Sequence, residues 1–320
     1  MPTLTRYARY AWGVLSYTLL VVLWGAFVRA TGAGAGCGSH WPKCNGVLIP
    51  RPERIETVIE FSHRLTSGLL GFLMLGLVVG AFLAFPRGHG VRRWALWSLF
   101  FTVAEGLIGG LQVLAEMTAD NASPQRAIWQ SAHLANTFLL IGALALTAWR
   151  ASGGQPLRLR RQGPALWLLS VGLLGAVLLG VSGTIAALGD TLFPVESLRE
   201  GLAQDFAPTA HFLIRLRVWH PFLAVTLGAY LVAIAWLIRQ WRPDPMIRRL
   251  ALTLSSLFTL QLLIGSLNVV LLAPVWMQLV HLLMADLVWI ALVLLSAATL
   301  SQDQPQHAPQ SVRSLQPGRS

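Results

Sequence analysis

Glu60-Phe61-Ser62-His63-Arg64 sets an acid, an imidazole and a guanidinium at the entrance to the long apolar run Ile59 to Phe85. Charge at the edge of a membrane span is costly and is normally retained for a function. Glu60 and His63 lie three residues apart, so on a helix they look from one face into the same space. Three further apolar runs each carry one histidine near one end: His133 in WQSAHLANTFLL, His220 in RVWHPFLAVTLG and His281 in MQLVHLLMADLV. A single membrane histidine reads as a hydrogen-bonded packing residue, whereas four at matching depth read as a ligand set.

Working outward, the run is one of eight that can cross a bilayer core of about 30 Å, which takes about 20 helical residues. They read as roughly 10–28, 59–85, 94–114, 128–149, 165–187, 211–238, 250–272 and 276–298. With 55% apolar and only 12% charged residues, the composition is that of a membrane protein and not of a soluble one. Lipid offers no water to backbone groups, so the spans must be helices. The net charge of +11 does not point to nucleic acid, because the arginines gather in alternate loops. Arg6 and Arg9, Arg87 to Arg93, Arg150 to Arg161, and Arg239 to Arg249 mark those loops and both termini as cytoplasmic by the positive-inside rule. No arginine-rich presequence or cleavable signal is read at the start, which favours a bacterial plasma membrane over an organelle.

The second half repeats the first. A shift of 157 takes His63 to His220 and Leu70-Gly71 to Leu227-Gly228. IGGLQV at Ile108 returns as IGSLNV at Ile264, and Gln130-x-x-His133-Leu134 returns as Gln278-x-x-His281-Leu282. The shared order argues for a duplicated unit. The expected fold is therefore an all-α integral membrane protein whose eight helices form two tandem four-helix bundles of the same orientation, with all four histidines towards the outer face. The domains read as 1–150 and 165–298, joined by a cytoplasmic linker at 151–164 and followed by a disordered cytoplasmic tail at 299–320. His307 in that tail and His89 in a short loop have no evident role. His211 is expected at the interface, after an outward loop that forms a short interfacial helix.

Imidazole is a standard axial ligand of haem iron, and facing helices of a four-helix unit can hold the macrocycle between them. Two histidines per unit thus suggest two haems. A zinc or copper site would gather three or more ligands. A proton-coupled transporter using His and Glu is the competing class, but its site is expected near the midplane and not towards one surface. Glu105, within the third span, reads equally well as a hydrogen-bonded packing residue and as a functional one. The two cysteines, Cys37 and Cys44, share the first outward loop. A disulfide, a zinc site with His40, or two free thiols all remain open there, although zinc lacks a fourth ligand in the loop.

The segments VRATG, CGSHWPKCNG, EFSHR, RLRVWHP and QLVHLLMADLVW together resemble the haem A synthase family across nearly all of the membrane region. The resemblance implies an enzyme that oxidises a methyl group of haem O to the formyl group of haem A for terminal oxidases. It implies His63, His133, His220 and His281 as haem-iron ligands, Glu60 as the essential acid, and Cys37 and Cys44 as the outer-loop pair. A b-type haem is implied in the second half and the substrate haem in the first. Haem O synthase and an electron donor are the implied partners, with membrane lipid around the protein. Two departures stand out: Pro221 follows His220 where the family often has arginine, and a second cysteine pair is missing.

Beside the histidines, Arg29, Arg64, Arg215 and Arg217 are candidate propionate anchors, since guanidinium binds carboxylate through two parallel hydrogen bonds. The repeat sets Glu60 against Arg217, which suggests that the first half reacts and the second passes electrons. The competing reading of Glu60 is an ion pair with Arg64 or Arg29 at the membrane edge.

Overall fold

The computed structural model describes residues 5–51 and 53–302. Among them the chain is helical throughout, in ten α-helices and one 3₁₀ turn. Helix starts follow from capping chemistry. Thr5 accepts from Ala8 N ahead of α1 (Arg6–Ala30). Ser123 accepts from Arg126 N ahead of α4 (Pro124–Ala151), and Asp244 accepts from Met246 N and Ile247 N ahead of α9 (Pro245–Val270). In the last two a proline follows at the first helical position, where its missing N–H costs nothing. The remaining long helices are α2 (Ile55–Ala84), α3 (Gly90–Leu114), α5 (Pro164–Leu192), α8 (Trp219–Trp241) and α10 (Val275–Leu300).

Eight helical spans are long and apolar enough to cross a membrane, so the protein is a multi-pass membrane protein. Seven are single helices close to the expected ranges. The sixth, Phe212–Trp241, consists of α7 (Phe212–Arg217) and α8 with a break at Val218. Pro221 accounts for the break, because it cannot donate to the carbonyl of Arg217 four residues earlier and its ring crowds that carbonyl. The expected interfacial helix is α6 (Leu198–Asp205). His211 caps α7 by accepting from Leu213 N, with its ring 4.8 Å from that of Phe193. At the other end α10 runs to Leu300, so the tail starts later than residue 299. The rest of the tail, with His307, lies outside the described residues.

Helices α1 to α4 pack as α1 on α2 and α4, α2 on α3, and α3 on α4; α5, α8, α9 and α10 pack in the same pattern. The two sets meet through α4 with α5 and α10, and through α1 with α10. The repeat partners α4 and α10 are the most enclosed spans, at 61% and 44% buried. They carry the central core, where the rings of Phe138 and Trp289 stack at 5.1 Å and Trp289 Nε1 donates to Phe138 O at 2.6 Å. At the arginine-rich end, Arg242 donates to Gln162 Oε1 at 2.9 Å and Arg158 N donates to Leu300 O at 2.8 Å. These bonds fasten the 151–164 linker across the base of the second set.

Candidate functional site

Each of the four histidines lies against a glycine of a neighbouring helix. His63 on α2 faces Gly25 on α1, His133 on α4 faces Gly109 on α3, His220 on α8 faces Gly183 on α5, and His281 on α10 faces Gly265 on α9. A Cβ at Gly25, Gly183 or Gly265 would stand 2.9 Å from the imidazole Cε1, nearer than real Cβ contacts come; at Gly109 the distance is 3.4 Å. The glycines follow the duplication to within one residue. They form a set that hydrophobic patterning missed; the repeat shift, applied to glycine as well as histidine, is the signal that finds them.

The rings of His220 and His281 are 6.3 Å apart between centroids and nearly perpendicular, at 84°. His220 Nδ1 bonds to Ser182 Oγ at 2.9 Å. Nδ1 of His63 and Nδ1 of His281 are buried with no hydrogen-bond partner among the described residues. A buried ring nitrogen left unpaired is costly. Among the described residues no cluster of three or more His, Cys, Asp or Glu side chains is placed to hold a bare metal ion.

Glu60 is 4% exposed and both of its oxygens are engaged. Oε1 accepts from Arg64 Nη2, and Oε2 accepts from Cys37 N at 2.8 Å. Arg64 Nη1 donates to the carbonyls of His40 and Lys43 at 2.7 and 2.6 Å. Thr57 Oγ1 donates to Gly36 O at 2.6 Å, and a Cβ on Gly36 would sit 2.3 Å from the backbone of Glu56. The loop between α1 and α2 is therefore sewn onto the first turns of α2. Cys37 and Cys44 within it are joined in a disulfide, with Cα atoms 4.4 Å apart, which removes the free-thiol and zinc readings. Glu60 thus makes the expected edge pair with Arg64 and also holds the disulfide loop; no bond joins it to His63.

The other three candidate arginines also meet acceptors of the protein. Arg29 reaches from α1 to Ala187 O and Thr191 Oγ1 on α5, each at 2.9 Å, and to Gln278 Oε1 on α10 at 3.0 Å. It ties one set of helices to the other. Arg217 pairs with Asp205 at 2.7 Å and Asp190 at 3.1 Å, and also reaches Gln204. Arg215 is exposed and donates to Pro208 O at 2.5 Å. Glu105, left open by the sequence, has its Oε1 3.1 Å from His133 Nε2. Buried Arg126, which the sequence reading passed over, donates to the carbonyls of Ala119 and Asn121 and so closes the α3–α4 turn.

Four histidines within membrane-spanning helices, each packed against a glycine of a neighbouring helix, mark a polytopic membrane protein with ionisable groups held inside its helix packing. A cytochrome oxidase assembly protein model, COX15-CtaA, matches residues 8–293. The chain belongs to that family. It is 54% identical over 301 residues to a protein of Thermus thermophilus named protoheme IX farnesyltransferase, a match that covers 94% of this chain and 50% of the relative. A second strain of that organism has a counterpart at 53% identity with the same coverage. The chain thus spans about half the length of these relatives. A protein of Lysinibacillus sphaericus named Heme A synthase is 43% identical over 96 residues, 30% of this chain and 31% of the relative.

Proposed function

We propose that the chain is a haem A synthase, which oxidises a methyl group of haem O to the formyl group of haem A for terminal oxidase assembly. Family membership supports this reading, as do the relatives named Heme A synthase. The observation that carries it is the His220–His281 pair. Their rings lie 6.3 Å apart between centroids on facing helices, and a nitrogen of each would be available to hold an iron between them. His220 and His281 would hold a resident b-type haem, while His63 and His133 would flank the substrate haem. The glycine that faces each ring favours the same assignment. Bound haem supplies the one-electron chemistry that an unactivated methyl group demands and that side chains lack.

The chain's own residues position and enclose. Glu60 fastens the disulfide loop onto the first turns of α2 and can take or give a proton at Oε1 or Oε2, three residues before His63 on the same helix. Arg215, with one carbonyl partner, is the candidate arginine best disposed to turn towards a propionate; Arg29, Arg64 and Arg217 are held by the protein and would have to share. The two sets of helices are read as tandem duplicated units, residues 1–150 and 165–298, in a bacterial plasma membrane with cytoplasmic termini and outward haem sites. Haem O synthase, as the supplier of substrate, and an electron donor are the expected partners.

Identification by chromatography of the haems extracted from protein expressed with a haem O supply tests the reading. Haem O and haem A beside b-type haem are expected. Haem of b type alone would make the protein an electron-transfer cytochrome, and no haem would make it a transporter.

A further inference from the structure

Trp41 stands in the middle of the loop between α1 and α2 and reaches across to α3. Its indole lies on Gly110: a Cβ there would come within 2.5 Å of Cδ2 and 2.6 Å of Cε2, nearer than real Cβ contacts come, so only glycine seats the ring. Gly110 is buried beneath it, while Trp41 itself stays 37% exposed. The same loop is bound to α2 on its other side. Cys37 N donates to Glu60, and the carbonyls of His40 and Lys43, on either side of Trp41, accept from Arg64. Arg64 follows His63 in α2, and Gly110 follows Gly109, which faces His133. The loop thus runs from the turn of α2 that carries one first-half histidine to the turn of α3 that backs the other. The Cys37–Cys44 disulfide makes it a closed ring that moves as one piece, so its fastenings on α2 and α3 decide whether it lies down or lifts.

Among the described residues the second half has no such fastening. The shift that takes IGGLQV to IGSLNV puts Ser266 in place of Gly110, and Ser266 is exposed, its hydroxyl donating to Leu262 O of its own helix. Both cysteines of the chain lie in the first half. The corresponding connection folds instead as α6, which Arg217 holds through Gln204 and Asp205. A closing loop therefore belongs to the half whose ligand must come and go at every turnover, and not to the half whose ligand stays.

We propose that Trp41 is a positioning residue that latches the disulfide loop over the first-half site by seating its indole on Gly110, and that haem enters and leaves that site only when the latch opens. The inference rests on the haem reading above.

Two rates measured on the intact protein test it. Cys37 and Cys44 are both completely buried, so the rate at which a water-soluble phosphine reduces the disulfide reports opening of the loop. Loss of haem to excess apomyoglobin, followed by chromatography of what remains bound, reports exchange of haem O apart from b-type haem. Trp41→Ala and Gly110→Ala should each speed reduction and the loss of haem O by at least about tenfold, near 1.4 kcal/mol, and leave b-type haem in place. The double variant should be no faster than either single one, because both remove one contact. Gly106→Ala, one turn earlier on α3 with nothing within 4 Å of its Cβ, should match the unaltered protein. Unchanged reduction in Trp41→Ala, or faster reduction without faster loss of haem O, would overturn the inference and leave the synthase reading standing. Protein that binds no haem in any form would overturn both, whatever the reduction rates.

Discussion

The glycine that faces each imidazole offers a sharp perturbation, because the four distances are not equal. In Gly183→Ala the new Cβ would lie 2.9 Å from His220 Cε1, and in Gly265→Ala 2.9 Å from His281 Cε1. A relaxed carbon–carbon contact is about 3.5–4.0 Å, so each ring must retreat by roughly 0.6 Å or more. The imidazole ends a side chain with two torsions, so the ring moves and the fold stays. His220 must then also stretch its 2.9 Å bond to Ser182 Oγ. Displacing a ligand's orienting partner typically costs 10–100-fold in metal affinity, or about 1.4–2.7 kcal/mol. Haem-to-protein ratio and low-spin absorbance of the purified variants, followed through dilution into haem-free detergent, give the measurement. Gly68→Ala and Gly71→Ala serve as controls, since nothing lies within 4 Å of either Cβ and alanine favours a helix by up to about 1 kcal/mol. Gly109→Ala, with its contact at 3.4 Å, should behave like the controls. Equal haem retention in Gly183→Ala, Gly265→Ala and Gly68→Ala would refute the claim that these glycines make room for ligating rings.

Glu60→Gln keeps the bond from Cys37 N but removes the ionic partner of Arg64; haem should remain in both halves while haem A yield falls at least about tenfold, near 1.4 kcal/mol of barrier. A wild-type yield from folded Glu60→Gln protein would end its assignment to the chemistry. Replacing Cys37 and Cys44 together by serine opens a link of sequence separation 7 and should cost about 2–3 kcal/mol of loop stability, visible as faster proteolysis between residues 37 and 56. Arg29→Met removes three hydrogen bonds between the helix sets and should lower resistance to unfolding in denaturing detergent by about 3 kcal/mol; an unchanged profile would mean that helix packing without these bonds holds the two sets together. Asp286 is completely buried on α10, and among the described residues neither carboxyl oxygen has a hydrogen-bond partner. Asp286→Leu should therefore be neutral or stabilising by about 1–3 kcal/mol, and a marked loss of stability would reveal a partner for this acid.

The sequence by itself determined the number of spans, their ranges and the four histidines, because a bilayer imposes one length and one composition on every helix and makes each buried ionisable group conspicuous. It also showed short motifs that return in the same order, at spacings of 148 to 157 residues. Tertiary structure decided which partner each polar group takes. Arg29 and Arg217 look alike in sequence, but one crosses to α5 and α10 while the other pairs with Asp190 and Asp205. Glu60 had two readings, and packing of the disulfide loop on α2 joined it to Arg64 and Cys37. Glu105 had two readings in the chain, and the facing helix α4 supplied its partners, Asn136, Thr137 and His133. Periodicity fixes the face from which a side chain emerges; its bond depends on a neighbour brought up by another helix, and that information is spread over residues far apart in the sequence.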